Sequence, residues 1–259
     1  MTLPFAEAAA LALVESVTRL LPLADGGHTA LLDLLFGIDV GQTLLLSVAA
    51  GTWLAAVVFF RSRAAATLKA AIRDPGPFGR DGRVLLAGAL AMLLVQLAVR
   101  DRVCSWGRDP MLVGGGLVLS AVAMASTIWA PRGRRTVPTP GAALLVGAVQ
   151  GLAVLPGLSQ VGLALACLVW LGLSEEGAFE ACILIMIPAQ AILLAVSAAS
   201  ASRTAAWTTS PWLILLTTWV GFVMLGALRQ VLRRHLLPFF SLYLVPLGVA
   251  TIAWGYARP

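Results

Sequence analysis

Apolar residues run through this chain in long blocks separated by short polar interruptions. Blocks at about 40–60, 84–99, 111–130, 177–201, 207–228 and 236–256 reach or approach the ~20 residues that an α-helix needs to cross a hydrocarbon core. We read them as six transmembrane helices, because a helix satisfies its backbone hydrogen bonds internally where no water can. Two further apolar stretches are broken. In residues 3–36, Pro22 and the Gly26-Gly27 pair interrupt the run before a shorter apolar segment from Thr29 to Phe36. Residues 141–173 repeat the pattern, with a break from Pro156-Gly157 to Gly162. Half-length helices joined at a Pro/Gly break predict re-entrant hairpins, whose irregular backbone must face protein or a water-filled cavity.

The order hairpin, three spans, hairpin, three spans divides a single membrane domain (1–259) into halves at 1–130 and 141–256. Three is odd, so the second half enters from the opposite side and the halves form an inverted repeat. Glu15 to Gly27 and Gln150 to Gly162 share a separation of twelve, and each pair encloses a Leu-Pro. Such repeats place a binding site near their interface, where half-helix N-termini receive anions. The expected fold is therefore an all-α polytopic membrane protein with six spans and two re-entrant hairpins.

Composition narrows the class. The chain is 59% hydrophobic and 12% charged, with mean hydropathy +0.92, whereas soluble domains carry about 25% charged residues. A net charge of +6 and a pI near 10.2 would suggest nucleic acid in a soluble protein. Here the basic residues sit in connections: Arg61–Arg83 holds six of eighteen, and Arg132, Arg134 and Arg135, then Arg229, Arg233 and Arg234, mark two more. This is the positive-inside pattern, which makes anionic headgroups the expected partner and places both termini outside the cytoplasm. Glu175, Glu176 and Glu180 fall on the basic side. Cys104, Cys167 and Cys182 form no metal or disulfide spacing. The N-terminal run, interrupted by Glu7, Glu15 and Arg19 and lacking a basic n-region, reads as part of the mature fold.

The stretch Glu15–His28, ESVTRLLPLADGGH, sets Glu15, Arg19, Asp25 and His28 in or beside apolar sequence. Ionisable groups at membrane depth are expensive and mark functional sites. These residues resemble the bacterial undecaprenyl pyrophosphate phosphatases of the bacitracin-resistance type, whose motifs read E-x-x-x-E-x-x-P-x-S-S-T-G-H and P-G-x-S-R-S-G. Glu15, Leu21-Pro22, Gly27 and His28 match the first motif; Gln150, Pro156, Gly157, Ser159 and Gly162 match the second hairpin. Three departures stand out: Arg19 occupies the second glutamate, Ala24-Asp25-Gly26 replaces Ser-Ser-Thr, and Gln160-Val161 replaces Arg-Ser. The resemblance implies removal of the terminal phosphate of undecaprenyl pyrophosphate, which recycles the lipid carrier of cell-wall synthesis, in a pocket open to the periplasm. It also implies a divalent metal such as Mg or Ca at the glutamates, pyrophosphate binding by the arginine, and nucleophilic or acid–base steps by histidine and serine.

The departures change the chemistry. Phosphoryl transfer relies on cations around the transferring group, and Gln160 donates hydrogen bonds without charge. Glu15, Asp25 and Arg19 sum to −1, as do the family's two glutamates and arginine, so the cation can have moved between hairpins. Arg19, one turn beyond Glu15 on the same helix face, either contacts phosphate or pairs with Glu15. Asp25 is a candidate phosphoryl acceptor or a turn and capping residue. His28 is a candidate for proton transfer or phosphate contact, and Ser159 for catalysis or a backbone bond. Gly157 and Gly162 are expected to permit the break, with Gly157 and Gln160 near the phosphate. With one glutamate retained, a metal at Glu15 needs Asp25, phosphate oxygens and water. Two functions follow: hydrolysis of a polyprenyl pyrophosphate, or its non-catalytic binding or transport.

Overall fold

The computed structural model describes residues 5–36, 41–106, 109–202 and 211–257. Its helices are α1 (Phe5–Leu20), α2 (Asp25–Phe36), α3 (Gln42–Phe59), α4 (Arg61–Arg73), α5 (Pro77–Trp106), α6 (Pro110–Ser126), α7 (Pro140–Leu152), α8 (Gln160–Trp170), α9 (Glu175–Ser202), α10 (Pro211–Arg233) and α11 (Ser241–Ala257). Short 3-10 turns follow α6 and precede α11. No strand occurs among the described residues. Five helical segments, 77–99, 110–129, 175–200, 211–233 and 237–257, are long and apolar enough to cross a membrane. A sixth candidate is the bent pair of α3 and α4. The outer faces fit that solvent: Leu215, Trp219 and Phe222 on α10 and Leu242 and Val249 on α11 are exposed. The chain is a multi-pass helical membrane protein.

Three sequence expectations are corrected. The Arg61–Arg83 connection is α4, bent 79° from α3, followed by the first turns of α5. Its run of Ala, Leu, Lys and Arg has high helix propensity, which charge counting overlooks. Arg100–Pro110 is likewise mostly helical, since α5 continues to Trp106 with no glycine or proline after Gly88 to stop it. The first hairpin breaks at Leu21–Ala24, so Gly26-Gly27 lie in the first turn of α2. Pro22 and the left-handed Ala24 (φ 60°) turn the chain before the glycines are reached.

The basic connections gather at one end around the acidic start of α9. Arg63 Nε lies 3.0 Å from Glu180. Arg229 and Arg233 Nε donate to the two Glu176 oxygens at 2.7 and 3.2 Å, and Ser174 N donates to the Arg135 carbonyl at 2.8 Å. Acidic residues at a helix N-terminus also complement its dipole. The second hairpin joins this end through Thr139, the N-cap of α7, and through Leu173 beside Arg135. The first hairpin leads instead to the opposite end of α3. Packing is reciprocal: α1 lies on α10 as α7 lies on α5, α3 packs on α10 as α9 packs on α5, and α6 pairs with α11.

Candidate functional site

The two broken hairpins meet inside the bundle. In the first, α1 ends at Leu20 and α2 starts at Asp25; in the second, α7 ends at Leu152 and α8 starts at Gln160. Gly157 takes φ 79°, a left-handed conformation that glycine adopts without a Cβ clash. A Cβ on Gly27 would stand 3.1 Å from the Gly157 Cα, and one on Gly162 3.0 Å from the Pro22 Cβ. Gly27 and Gly157 meet backbone to backbone, and Gly162 admits the Pro22 ring, because the glycines carry no side chain. Gly162 therefore serves close packing within α8; its expected place in the break is corrected. Both return helices begin near this contact, and their N-terminal dipoles favour an anion, although Gly162 N–H is taken by Ser159 Oγ and Gly27 N–H by the Ala24 carbonyl.

Glu15 is 1% exposed near the middle of the first hairpin's entry helix. The Thr29 hydroxyl donates to its Oε1, tying α1 to α2. One turn on, half-buried Arg19 lines a narrow cavity with Gln160, Trp53, Thr52, Gln190 and Leu20. Its core of ≈ 20 Å³ holds about one water. A pyrophosphate head group enters only if the wall opens. Gln160 Nε2 donates to the Gln150 carbonyl at 3.0 Å and its Oε1 accepts from Gln190 Nε2 at 3.4 Å. Gln150 is fully buried and donates to the Cys182 carbonyl at 3.2 Å.

Ser159 is 1% exposed and caps α8: its Oγ accepts from Gly162 N at 3.1 Å, while its own N–H donates to Ser120 Oγ at 2.8 Å. The capping role occupies one lone pair and leaves the hydroxyl proton to donate elsewhere. His28 places Nδ1 3.0 Å from the Ala24 carbonyl and Nε2 2.8 Å from the Tyr243 hydroxyl. Asp25 is the first residue of α2, and its side chain lies outside the described residues.

Arg19 and Gln160, one from each hairpin, are brought to one cavity, whereas His28 and Ser159 do not line it. Thr29, Ser120, Gln190 and Tyr243 were missed from sequence. Of these, Gln190 carries a readable signal, a polar side chain beside Pro188 in an apolar span. Among the described residues, no group of three His, Cys, Asp or Glu side chains could hold a metal ion. The described donors alone do not fit a divalent-metal site.

Comparison with known proteins adds the family. The model of the family described as bacitracin resistance protein BacA matches residues 8–250. The chain belongs to that family. The undecaprenyl-diphosphatase of Korarchaeum cryptofilum (strain OPF8) is 27% identical, with 96% of this chain and 98% of that protein covered. The undecaprenyl-diphosphatase of Desulfatibacillum aliphaticivorans is also 27% identical, with the same coverage. That of Mycobacterium sp. (strain KMS) is 27% identical over 93% of each chain. The BacA match spans both hairpins, so the meeting of their tips lies within the family's shared region.

Proposed function

We propose that this BacA-family protein hydrolyses the terminal phosphate of a polyprenyl pyrophosphate at the junction of the hairpins, releasing inorganic phosphate and the lipid monophosphate. The observation that carries this is Arg19 from the first hairpin and Gln160, the first residue of α8, on one cavity. Arg19 supplies the full positive charge for the phosphate, in the place that the family gives to the second-hairpin arginine. The dipoles of α2 and α8 add partial positive charge. Gln160, held at both ends of its amide, orients the wall, and Gly157 lets the backbone approach. His28 and Ser159 do not line this cavity. Their match to the family motifs assigns the proton of the attacking group to His28, and to Ser159 a hydroxyl that donates to phosphate at the adjoining hairpin tips. Glu15 with Thr29 fixes the helix that carries Arg19.

In this reading the two halves are an inverted repeat in a bacterial cytoplasmic membrane, with the basic end inward and the first hairpin opening to the periplasm. The reciprocal packing and the gathering of three basic connections at one end support it. The role that follows is recycling of the lipid carrier of cell-wall synthesis.

The test is phosphate release from a short-chain polyprenyl pyrophosphate by purified protein. His28→Ala is expected to reduce release by about 10²-fold or more, the scale of a lost acid–base group, and Glu15→Ala to reduce it by releasing the helix that carries Arg19. Release that survives both changes undiminished removes these residues from the site.

A further inference from the structure

The two ring nitrogens of His28 meet partners of opposite character. Nδ1 lies 3.0 Å from the carbonyl oxygen of Ala24, and a carbonyl can only accept, so Nδ1 carries the proton. In neutral imidazole this leaves the lone pair on Nε2. The Tyr243 hydroxyl, 2.8 Å away, donates to that lone pair. The rings lie nearly parallel, at 7°, with centroids 5.8 Å apart. Ala24 is held at φ 60° in the hairpin turn, so its carbonyl is placed by the same break that brings the hairpins together. Tyr243 comes from α11, 215 residues away in sequence.

We infer that Tyr243 is a positioning residue that holds His28 with its proton on Nδ1 and keeps Nε2 as the basic nitrogen. This rests on the proposed function, in which His28 moves a proton during phosphate hydrolysis. Nε2 is then the atom that receives a proton, and Tyr243 is its partner before substrate arrives. An incoming water or phosphate O–H competes with the tyrosine hydroxyl for one lone pair. Tyr243 is 46% exposed on the outer side of α11, so its ring has space to swing aside. The second half of the chain thus contributes to the first-hairpin histidine through its last helix.

Nitrogen-15 NMR of the full chain in nanodiscs, labelled at histidine, tests this. The chain has two histidines, so His235→Asn assigns the His28 signals by subtraction. The wild type is expected to show a protonated Nδ1 and an unprotonated, hydrogen-bonded Nε2. Tyr243→Phe keeps the ring and is expected to move the Nε2 resonance toward that of a lone pair with no donor. In the phosphate assay, loss of this competing donor should act on KM rather than kcat, lowering KM by up to about fivefold, the scale of one neutral hydrogen bond. A wild-type His28 protonated on Nε2 overturns the inference, and so does an Nε2 resonance unmoved by Tyr243→Phe. The wild-type spectrum is decisive even if the variant fails to fold. These spectra need no turnover, so absence of phosphatase activity would count against the proposed function alone.

Discussion

Arg19→Gln is expected to lower phosphate release by about 10³–10⁵-fold, the range for removing an arginine that stabilises a transferring phosphoryl group. Arg19 is the single Lys or Arg in residues 3–36 and 141–173, so no other side chain of the hairpins supplies a permanent positive charge. Gln160, across the cavity, is neutral and held between the Gln150 carbonyl and Gln190. Helix N-termini contribute about half a charge each, enough to help bind phosphate and too little to replace a guanidinium. Arg19→Lys keeps the charge but loses the planar fork and should fall between wild type and Arg19→Gln. Pairing with Glu15 makes a separate prediction. If Arg19 served only to neutralise Glu15, the double change Glu15→Gln with Arg19→Gln would restore the activity that Arg19→Gln removes. With Arg19 acting on phosphate, the double variant stays inactive, and the comparison of kcat among the three proteins decides the matter.

The second large effect is structural. Gly157→Ala is expected to destabilise the fold by roughly 2–5 kcal/mol: about 1–2 for a left-handed residue with a Cβ and about 1–3 for overpacking. The added Cβ would fall 2.0 Å from the Val113 carbonyl oxygen and 2.9 Å from Leu117 N. Both are backbone atoms of α6, which cannot rotate away as a side chain would. The second hairpin must shift, and with it the contact to Gly27 and the position of Gln160. Thermal unfolding in detergent should show a lower midpoint for Gly157→Ala, together with lost phosphate release. Gly115→Ala on the same α6 meets nothing within 4 Å and should leave both unchanged. An unshifted midpoint in Gly157→Ala would contradict the close backbone packing of the hairpin tip.

The bundle and the existence of both hairpins were legible because lipid solvent imposes long apolar blocks, and because Pro22, Pro156 and Gly157 are poor residues for a continuous helix. The family was legible too, from the motif residues around Glu15, His28 and Ser159. Local details followed other forces. The first hairpin turned at left-handed Ala24 ahead of the Gly26-Gly27 pair expected to break it, and the alanines of α4 made a helix where six basic residues suggested a loop. The partners of the site residues were not legible, since Ser120, Gln190 and Tyr243 lie on α6, α9 and α11 and nothing local links them to the hairpins. A tyrosine near a span end is also ordinary in membrane helices. What joins these residues is the packing of α6, α9 and α11 around the hairpin tips, a property of the whole bundle.

The central claim is that the hairpin junction carries out phosphoryl chemistry with its cation on the first hairpin. Its most direct measurement is phosphate release from a polyprenyl pyrophosphate by the purified wild-type protein in nanodiscs, with lipid binding recorded on the same preparation. Multiple turnovers that disappear in Arg19→Gln are the predicted result. Tight binding of the pyrophosphate lipid with no phosphate released by the wild type would contradict it.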